Sequence, residues 1–346
     1  MDGAARAIRY PVEEPPAFGD VFEIAEGVLW LRLPLPMALD HVNVFALDEG
    51  DGWTLIDTGI GTRACQEAME AALAGPLKGK PVRRVLVTHH HPDHIGLAGW
   101  FIERGAEILT TRTAYLLARM LALDVQEKPP EEALDFYRSS GMAPDIYKTR
   151  AGERPFNFAD VIAPLPLGFT RIAEGDELDL GGRRWRVRVG HGHAPEHATL
   201  WAQDDDLILG GDQLLPSISP NLGVYPTEPG ADPVADWLAS CRSFQPLAEA
   251  RQLVLPGHKL PYFGLPTRLD QLIENHVSAL ERLEEFLGQP ATAADCFMTI
   301  FKREIRGGEY GLALVEAVAH CQHLWHRGRV TRDRREDGAW VYIRKE

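Results

Sequence analysis

Metal-binding side chains crowd the stretch "THHHPDHIG" at residues 88–96, where His89, His91, Asp93 and His94 follow the pattern H-x-H-x-D-H. Strand side chains alternate faces, so at a strand exit His89 and His91 point the same way and His90 points away. Pro92 tightens the chain, which turns Asp93 and His94 toward a second point nearby. Three more donors close apolar runs: His193 in "GHAPEH", Asp212 at the end of "LILGGD" and His258 at the end of "LVLPGH". The seven sort into two sets, His89 with His91 and His193, and Asp93 with His94 and His258. Asp212, with two oxygens, can bridge them. Neutral imidazoles with a few carboxylates suit Zn²⁺ and also Fe or Mn; zinc is the default where neither a thiolate nor a redox partner accompanies them. A pair of ions ~3.5 Å apart would hold a bridging water and lower its pKa toward neutrality, giving a hydroxide that attacks a carbonyl or phosphoryl group. Asp93, bound through one oxygen, is expected to orient that nucleophile and relay its proton.

Other polar residues have weaker cases. His197 and Glu196 follow His193 closely and could donate to a leaving group, although a structural hydrogen bond is the commoner use. His41, in "LDHVNVF", could line the cleft or be an ordinary hairpin histidine. His320, His323 and His326 fall at helical spacing and look like a metal face, but no carboxylate is read with them, which predicts a partly exposed helix face.

The 346 residues carry a net charge of -14, which argues against nonspecific attraction to nucleic acid or anionic membrane. Four isolated cysteines without a C-x-x-C pair read as reduced thiols. The start lacks an apolar leader region and no uncharged run is long enough to span a membrane, so a cytoplasmic protein without membrane contact is expected.

Elements that could place these donors are legible along the chain. Residues 1–20, with "PVEEPP", read as an extended arm. "VFEIAEGVLWLRLPL" alternates like strands, and "HVNVFALDEGDGWTLIDTG" reads as a hairpin. "TRACQEAMEAALAG" has helical spacing and stops at Gly75. "VRRVLVT" is a strand that delivers the chain to His89. Strand–helix repetition predicts a layered α/β or αββα core over 21–265. Within it, 112–168 changes character and reads as a helical insertion, possible as a lid, with Tyr115, Met120, Phe136, Tyr137 and Phe156 offered as an apolar pocket wall. "DELDLGGRRWRVRVGHG" and "ATLWAQDDDLILGGD" are hairpins, and "RQLVLPGH" a last strand. Residues 266–346 read as three helices and a β-hairpin, the order of a winged helix. Its third helix, 311–326, has no Lys or Arg, so packing or homodimerisation is favoured there over nucleic-acid reading.

These motifs, in this order, resemble the metallo-β-lactamase-fold hydrolase superfamily over about residues 20–265. The resemblance implies an αβ/βα sandwich and takes "DTG" at Asp57–Gly59 as a first motif, the His89–His94 cluster as the second, and His193, Asp212 and His258 as the rest. It implies that Asp57 accepts an imidazole N–H and fixes that ligand's tautomer. The helical tail is similar, more loosely, to the winged-helix extension of the lactamase-like endoribonucleases. An aspartate at the fourth motif disfavours β-lactam hydrolysis. The central cluster is closest to glyoxalase II, yet that enzyme's glutathione loop is missing: "QLLPSISPNLGVYPTEPGADP" is apolar and offers Asn221 and Tyr225 as its polar features, with no cation for a substrate carboxylate. The expected substrate is therefore a small ester, thioester or lactone with a weakly charged acyl part. A ribonuclease or phosphodiesterase activity of the same ions is the alternative.

Overall fold

The computed structural model describes residues 7–346; the first six residues of the expected arm lie outside the described residues. The strands are β1 (Val21–Ala25), β2 (Val28–Pro34), β3 (His41–Asp48), β4 (Trp53–Ile56), β5 (Val82–Leu86), β6 (Glu107–Thr110), β7 (Thr170–Arg171), β8 (Glu177–Leu180), β9 (Arg183–Gly190), β10 (His197–Ala202), β11 (Leu207–Gly211), β12 (Leu253–Pro256), β13 (Val330–Arg334) and β14 (Trp340–Arg344). The helices are α1 (Arg63–Ala74), α2 (Pro92–Ile95), α3 (Ala98–Ile102), α4 (Arg112–Leu123), α5 (Glu131–Ser139), α6 (Pro144–Gly152), α7 (Pro233–Phe244), α8 (Leu265–Phe286), α9 (Phe297–Phe301) and α10 (Tyr310–His326).

Two compact units result. One gathers the chain through Val125 with Asn157–Pro220 and Leu247–Arg268; the other gathers Gln126–Phe156, Asn221–Pro246 and Leu269–Glu346. The stretch 112–168, read above as one insertion, is thus divided: α4 belongs to the first unit, α5 and α6 to the second. The second unit also takes α7, which the loop reading of the proline-rich stretch did not foresee. Asp232 caps that helix by accepting from the Ala235 amide, and Pro233 opens it.

The first unit is built on two sheets, β1 to β7 in chain order and β12-β11-β10-β9-β8. Pairing is parallel along β4-β5-β6-β7 and between β11 and β12, and antiparallel elsewhere. Alternation sorts the side chains. Trp30, Phe45, Leu47 and Ile56 face Trp185, Val187, Leu200 and Leu209 of the second sheet. Leu31, Leu33, Val42, Val44 and Leu55 turn the other way, onto Cys65 and Met69 of α1 and Phe101 of α3. This is the αββα layering that the strand–helix repetition predicts.

Of the residues offered as a pocket wall, Tyr115 is buried against Phe169 and its hydroxyl donates to the Pro166 carbonyl. Phe136 is buried in the second unit, whereas Met120 and Phe156 are exposed. Tyr137 is half-buried beside Phe136. Tyr115 and Phe136 therefore serve cores rather than a pocket.

One buried amide ties the sheets together at the end where β12 stops. Asn43 Oδ1 accepts from Trp30 Nε1 at 2.9 Å, and its Nδ2 donates to the Pro256 and Lys259 carbonyls at 2.9 and 2.8 Å. The Asn43 backbone amide donates to the Gly257 carbonyl at 2.7 Å. Truncation to alanine would strand three buried polar groups. Asn43→Ala is expected to lower unfolding free energy by about 3 kcal/mol in denaturant titrations; an unchanged midpoint would show that the clasp contributes nothing.

Candidate metal centre

Four strand ends supply the donors. β5 runs into Val87–His91, where Pro92 opens the short helix α2 that carries Asp93 and His94. His193 lies in the loop before β10, Asp212 follows β11 directly, and His258 lies two residues beyond β12. A parallel pair such as β11 and β12 ends its strands side by side, which brings Asp212 to His258.

The seven donors converge, and in the expected two sets. His91 Nδ1 lies 2.9 Å from His89 Nε2 and 3.0 Å from His193 Nε2. Asp93 Oδ2 lies 3.3 Å from His258 Nε2 and 3.5 Å from His94 Nε2. Asp212 stands between the sets, Oδ1 being 3.4 Å from His94 Nε2, and Oδ2 3.5 Å from His193 Nε2 and 3.3 Å from His258 Nε2.

Hydrogen bonds on the far side of three imidazoles decide which nitrogen faces inward. The Asp57 carboxylate can only accept, so His94 Nδ1, 2.7 Å from Asp57 Oδ2, carries the proton. Thr88 Oγ1 donates its one proton to Asp57 Oδ2 at 2.9 Å and therefore accepts from His89 Nδ1 at 3.0 Å. His258 Nδ1 donates to the His41 carbonyl at 2.7 Å. With Nδ1 fixed as the outward donor in each of the three, Nε2 is the nitrogen that faces the cluster and is left to a cation.

Two observations test the fit to cations. His94 Nε2 and Asp212 Oδ1 are buried and face each other at 3.4 Å without a well-formed hydrogen bond between them, which leaves both donor atoms available to a cation. In addition, a Cβ on Gly257 would come within 2.3 Å of Asp212 Oδ1 and 2.9 Å of His94 Cε1, so only glycine leaves these ligands their place. The donor set and its cradle fit divalent cations.

Burial shapes the charges. Desolvation, with the neighbouring imidazoles, holds His89 and His91 well below the usual histidine range. Desolvation also opposes charge on His258, but Asp212 and Asp93 outweigh it and raise that group to about 10. For Asp212 burial would raise the carboxyl, yet His258 and His94 hold it well below the usual range. Protons on the second set are what arriving cations must displace.

The remaining expected residues take other places. Asp57 is fully engaged by Thr88 and His94 behind the cluster, which makes it a positioning residue rather than one that meets substrate. His197, expected among the catalytic groups, is wholly buried, stacks on His89 at 4.5 Å and accepts from the Asp212 amide at 3.1 Å. Burial lowers it to about 3, and with Nε2 taken by the Asp212 amide it sits behind His89 as a brace. Glu196 accepts from the Thr113 amide at the start of α4. His41, offered as a substrate contact, is buried between Asp40 and the Lys259 amide and braces His258 through its carbonyl. Asn221 and Tyr225, the other proposed contacts, belong to the second unit, where the Asn221 amide is held by the Leu312 carbonyl and Glu316. His90 turns away and lies parallel to Phe158. Thr88, Asn43 and Gly257 escaped the sequence reading. A threonine directly before the histidine cluster was the available signal for Thr88.

Gly257→Ala is expected to remove most bound metal while far-UV circular dichroism stays unchanged; full metal content would show that the cradle is not tight. Asp57→Asn is expected to weaken metal affinity ~10–100-fold in competition with a chelator, and an unchanged affinity would contradict its role on His94.

Comparison with known proteins agrees with this geometry. Residues 37–287 match the metallo-beta-lactamase superfamily model, and residues 280–345 match the metallo-beta-lactamase-like C-terminal domain. A solved beta-lactamase domain protein from Burkholderia ambifaria superposes with a TM-score of 0.90 at 36% identity over 98% of each chain. Among curated proteins, the probable metallo-hydrolase YqjP of Bacillus subtilis is 27% identical over 86% of this chain and 92% of its own. An acyl-coenzyme A thioesterase, MBLAC2 of Gallus gallus, is 24% identical over 74% of this chain and 85% of its own. With the family match spanning most of its length and the donors gathered at its strand ends, this chain belongs to the metallo-beta-lactamase superfamily and is a metal-dependent hydrolase.

Proposed function

We propose that the protein hydrolyses an ester, thioester or lactone whose acyl part carries little charge, using two divalent ions, zinc by default. The observation that carries this reading is the division of seven donors into two triads with Asp212 within 3.5 Å of both. Two ions held by these residues would lower the pKa of water and polarise the substrate oxygen.

The chain's own residues do the rest. Asp93 is the more open of the two cluster carboxylates, its side chain 18% exposed against 8% for Asp212. It is the group placed to take a proton from water and pass it toward the leaving group. Thr88, Asp57 and His41 keep the imidazoles aimed, and buried apolar residues of β5 and β11 back the cluster on its inner side. The thioesterase relative supports an acyl substrate. The segment after Asp212, which contains no Lys or Arg through Pro233, supports a substrate without the paired carboxylates of glutathione. In the tail, α8, α9 and α10 followed by the β13–β14 hairpin support a winged-helix reading. The absence of Lys and Arg from 311–326 favours packing over nucleic-acid contact there. Among the described residues no helix is long and apolar enough to cross a membrane. A cytoplasmic location is part of the proposal, supported by four buried free thiols.

Zinc-loaded protein is expected to cleave p-nitrophenyl esters, an acyl thioester or a homoserine lactone at least 100-fold faster than bis-p-nitrophenyl phosphate, and to lose this activity to a chelator. Asp93→Ala is expected to lower kcat by ~10²–10⁴. Strong diester cleavage with silent carboxylic esters would overturn the substrate class.

A further inference from the structure

The second unit contains a buried polar cluster that the hydrolytic centre does not use. α8 lines its inner face with Leu269, Leu272, His276, Leu280 and Leu283, so His276 occupies a position of the apolar stripe. Facing it on α10 are Glu316 and His320, one helical turn apart and therefore on one side of that helix. His276 and His320 are each 1% exposed, and the partly exposed helix face expected for His320 and His323 is corrected here: both are buried. The carboxylate thought to be missing is Glu316, four residues before His320.

We infer that His276, Glu316 and His320 form a further divalent-cation site that fastens α8 to α10. A donor atom from each of the three lies within 4.8 Å of the others. His276 Nδ1 and His320 Nε2 are 3.2 Å apart, close to the 2.9 and 3.0 Å between imidazole nitrogens in the first triad. Two ligands of a tetrahedral zinc with bonds of about 2.0–2.1 Å stand about 3.3 Å apart, so little movement is needed. The tautomer is also set. His320 Nδ1 donates to the Glu316 backbone carbonyl at 2.8 Å, which leaves the Nε2 lone pair pointing at the cluster, the same device that the His41 carbonyl applies to His258. Glu316 is aimed from outside: Asn221 Nδ2 donates to its Oε2 at 2.7 Å. This explains why Asn221 is engaged here rather than with substrate. Two imidazoles and one carboxylate suit Zn²⁺ and other borderline cations better than Mg²⁺ or Ca²⁺. A cation also gives the buried carboxylate a partner of opposite charge, without which burial pushes the Glu316 carboxyl up to about 8.

The site shares no residue with the hydrolytic centre, so its test is a difference in metal content and not a total. Full-length protein purified with Zn²⁺ is dialysed and analysed for zinc per chain, for the wild type, His276→Gln and Glu316→Gln. Each variant is expected to lose one equivalent while ester hydrolysis is retained within about twofold. Zinc content equal to the wild type in both folded variants would overturn the site and leave a plain N–H···N hydrogen bond between the imidazoles. A second measurement needs no variant: wild-type crystals soaked in Zn²⁺ are recorded above and below the zinc absorption edge. An anomalous peak among His276, Glu316 and His320 is the expected result. Peaks at His89–His258 with none among these three residues would overturn the inference even if the variants fail to fold.

Discussion

Imidazoles buried beside carboxylates have to surrender one nitrogen to a fixed partner before the other can serve a cation. The architecture of the first unit follows from that constraint. Asp57 holds His94, Thr88 holds His89 and is itself held by Asp57, and the His41 carbonyl holds His258. The metal-facing nitrogens are what remains. Without such anchoring each ring would flip or change tautomer, and the convergence of seven donors within a few ångströms would be one arrangement among many.

The sheets supply the rigidity this needs. Donors come from the ends of β5, β11 and β12 and from the loop entering β10, so small errors in strand register would separate them. Register is set by two-faced burial of β2 and β3, whose alternate residues serve different cores. At the rim, Asn43 binds the chain beyond β12 from within β3, and Gly257 leaves room where a side chain would strike Asp212. Lys259, immediately after His258, has a positive φ of 69°. Its amide donates to His41, which offsets some of the cost of that conformation.

Much of this was legible in the sequence, for physical reasons that also mark where legibility stops. Period-two alternation and abrupt apolar runs located the strands, and because α/β folds gather functional groups at strand ends, His193, Asp212 and His258 could be joined to the histidine cluster. The turn at Gly181–Gly182 was readable because both residues adopt positive φ. Helix α7 was missed because "ADPVADW" presents its cap, Asp232, and its opening Pro233 as loop chemistry, and the same residues serve both. His41, His197 and Asn221 hold structural partners that the sequence did not show, for a different reason. A polar residue near a cleft motif does not reveal which way its side chain turns, and His41 and His197 turn inward to brace ligands. His276 could not be joined to Glu316 and His320 from sequence because it lies 40 residues before Glu316, on another helix.

The most direct test of the central claim is the protonation pattern of the imidazoles in zinc-loaded protein, read by long-range ¹H–¹⁵N correlation spectra of ¹⁵N-labelled histidines. His89, His94 and His258 should each show a protonated Nδ1 and an unprotonated Nε2 with a metal-shifted resonance, and chelation should move the Nε2 signals. Spectra with Nε2–H tautomers at these positions, or unchanged by chelation, would contradict the account.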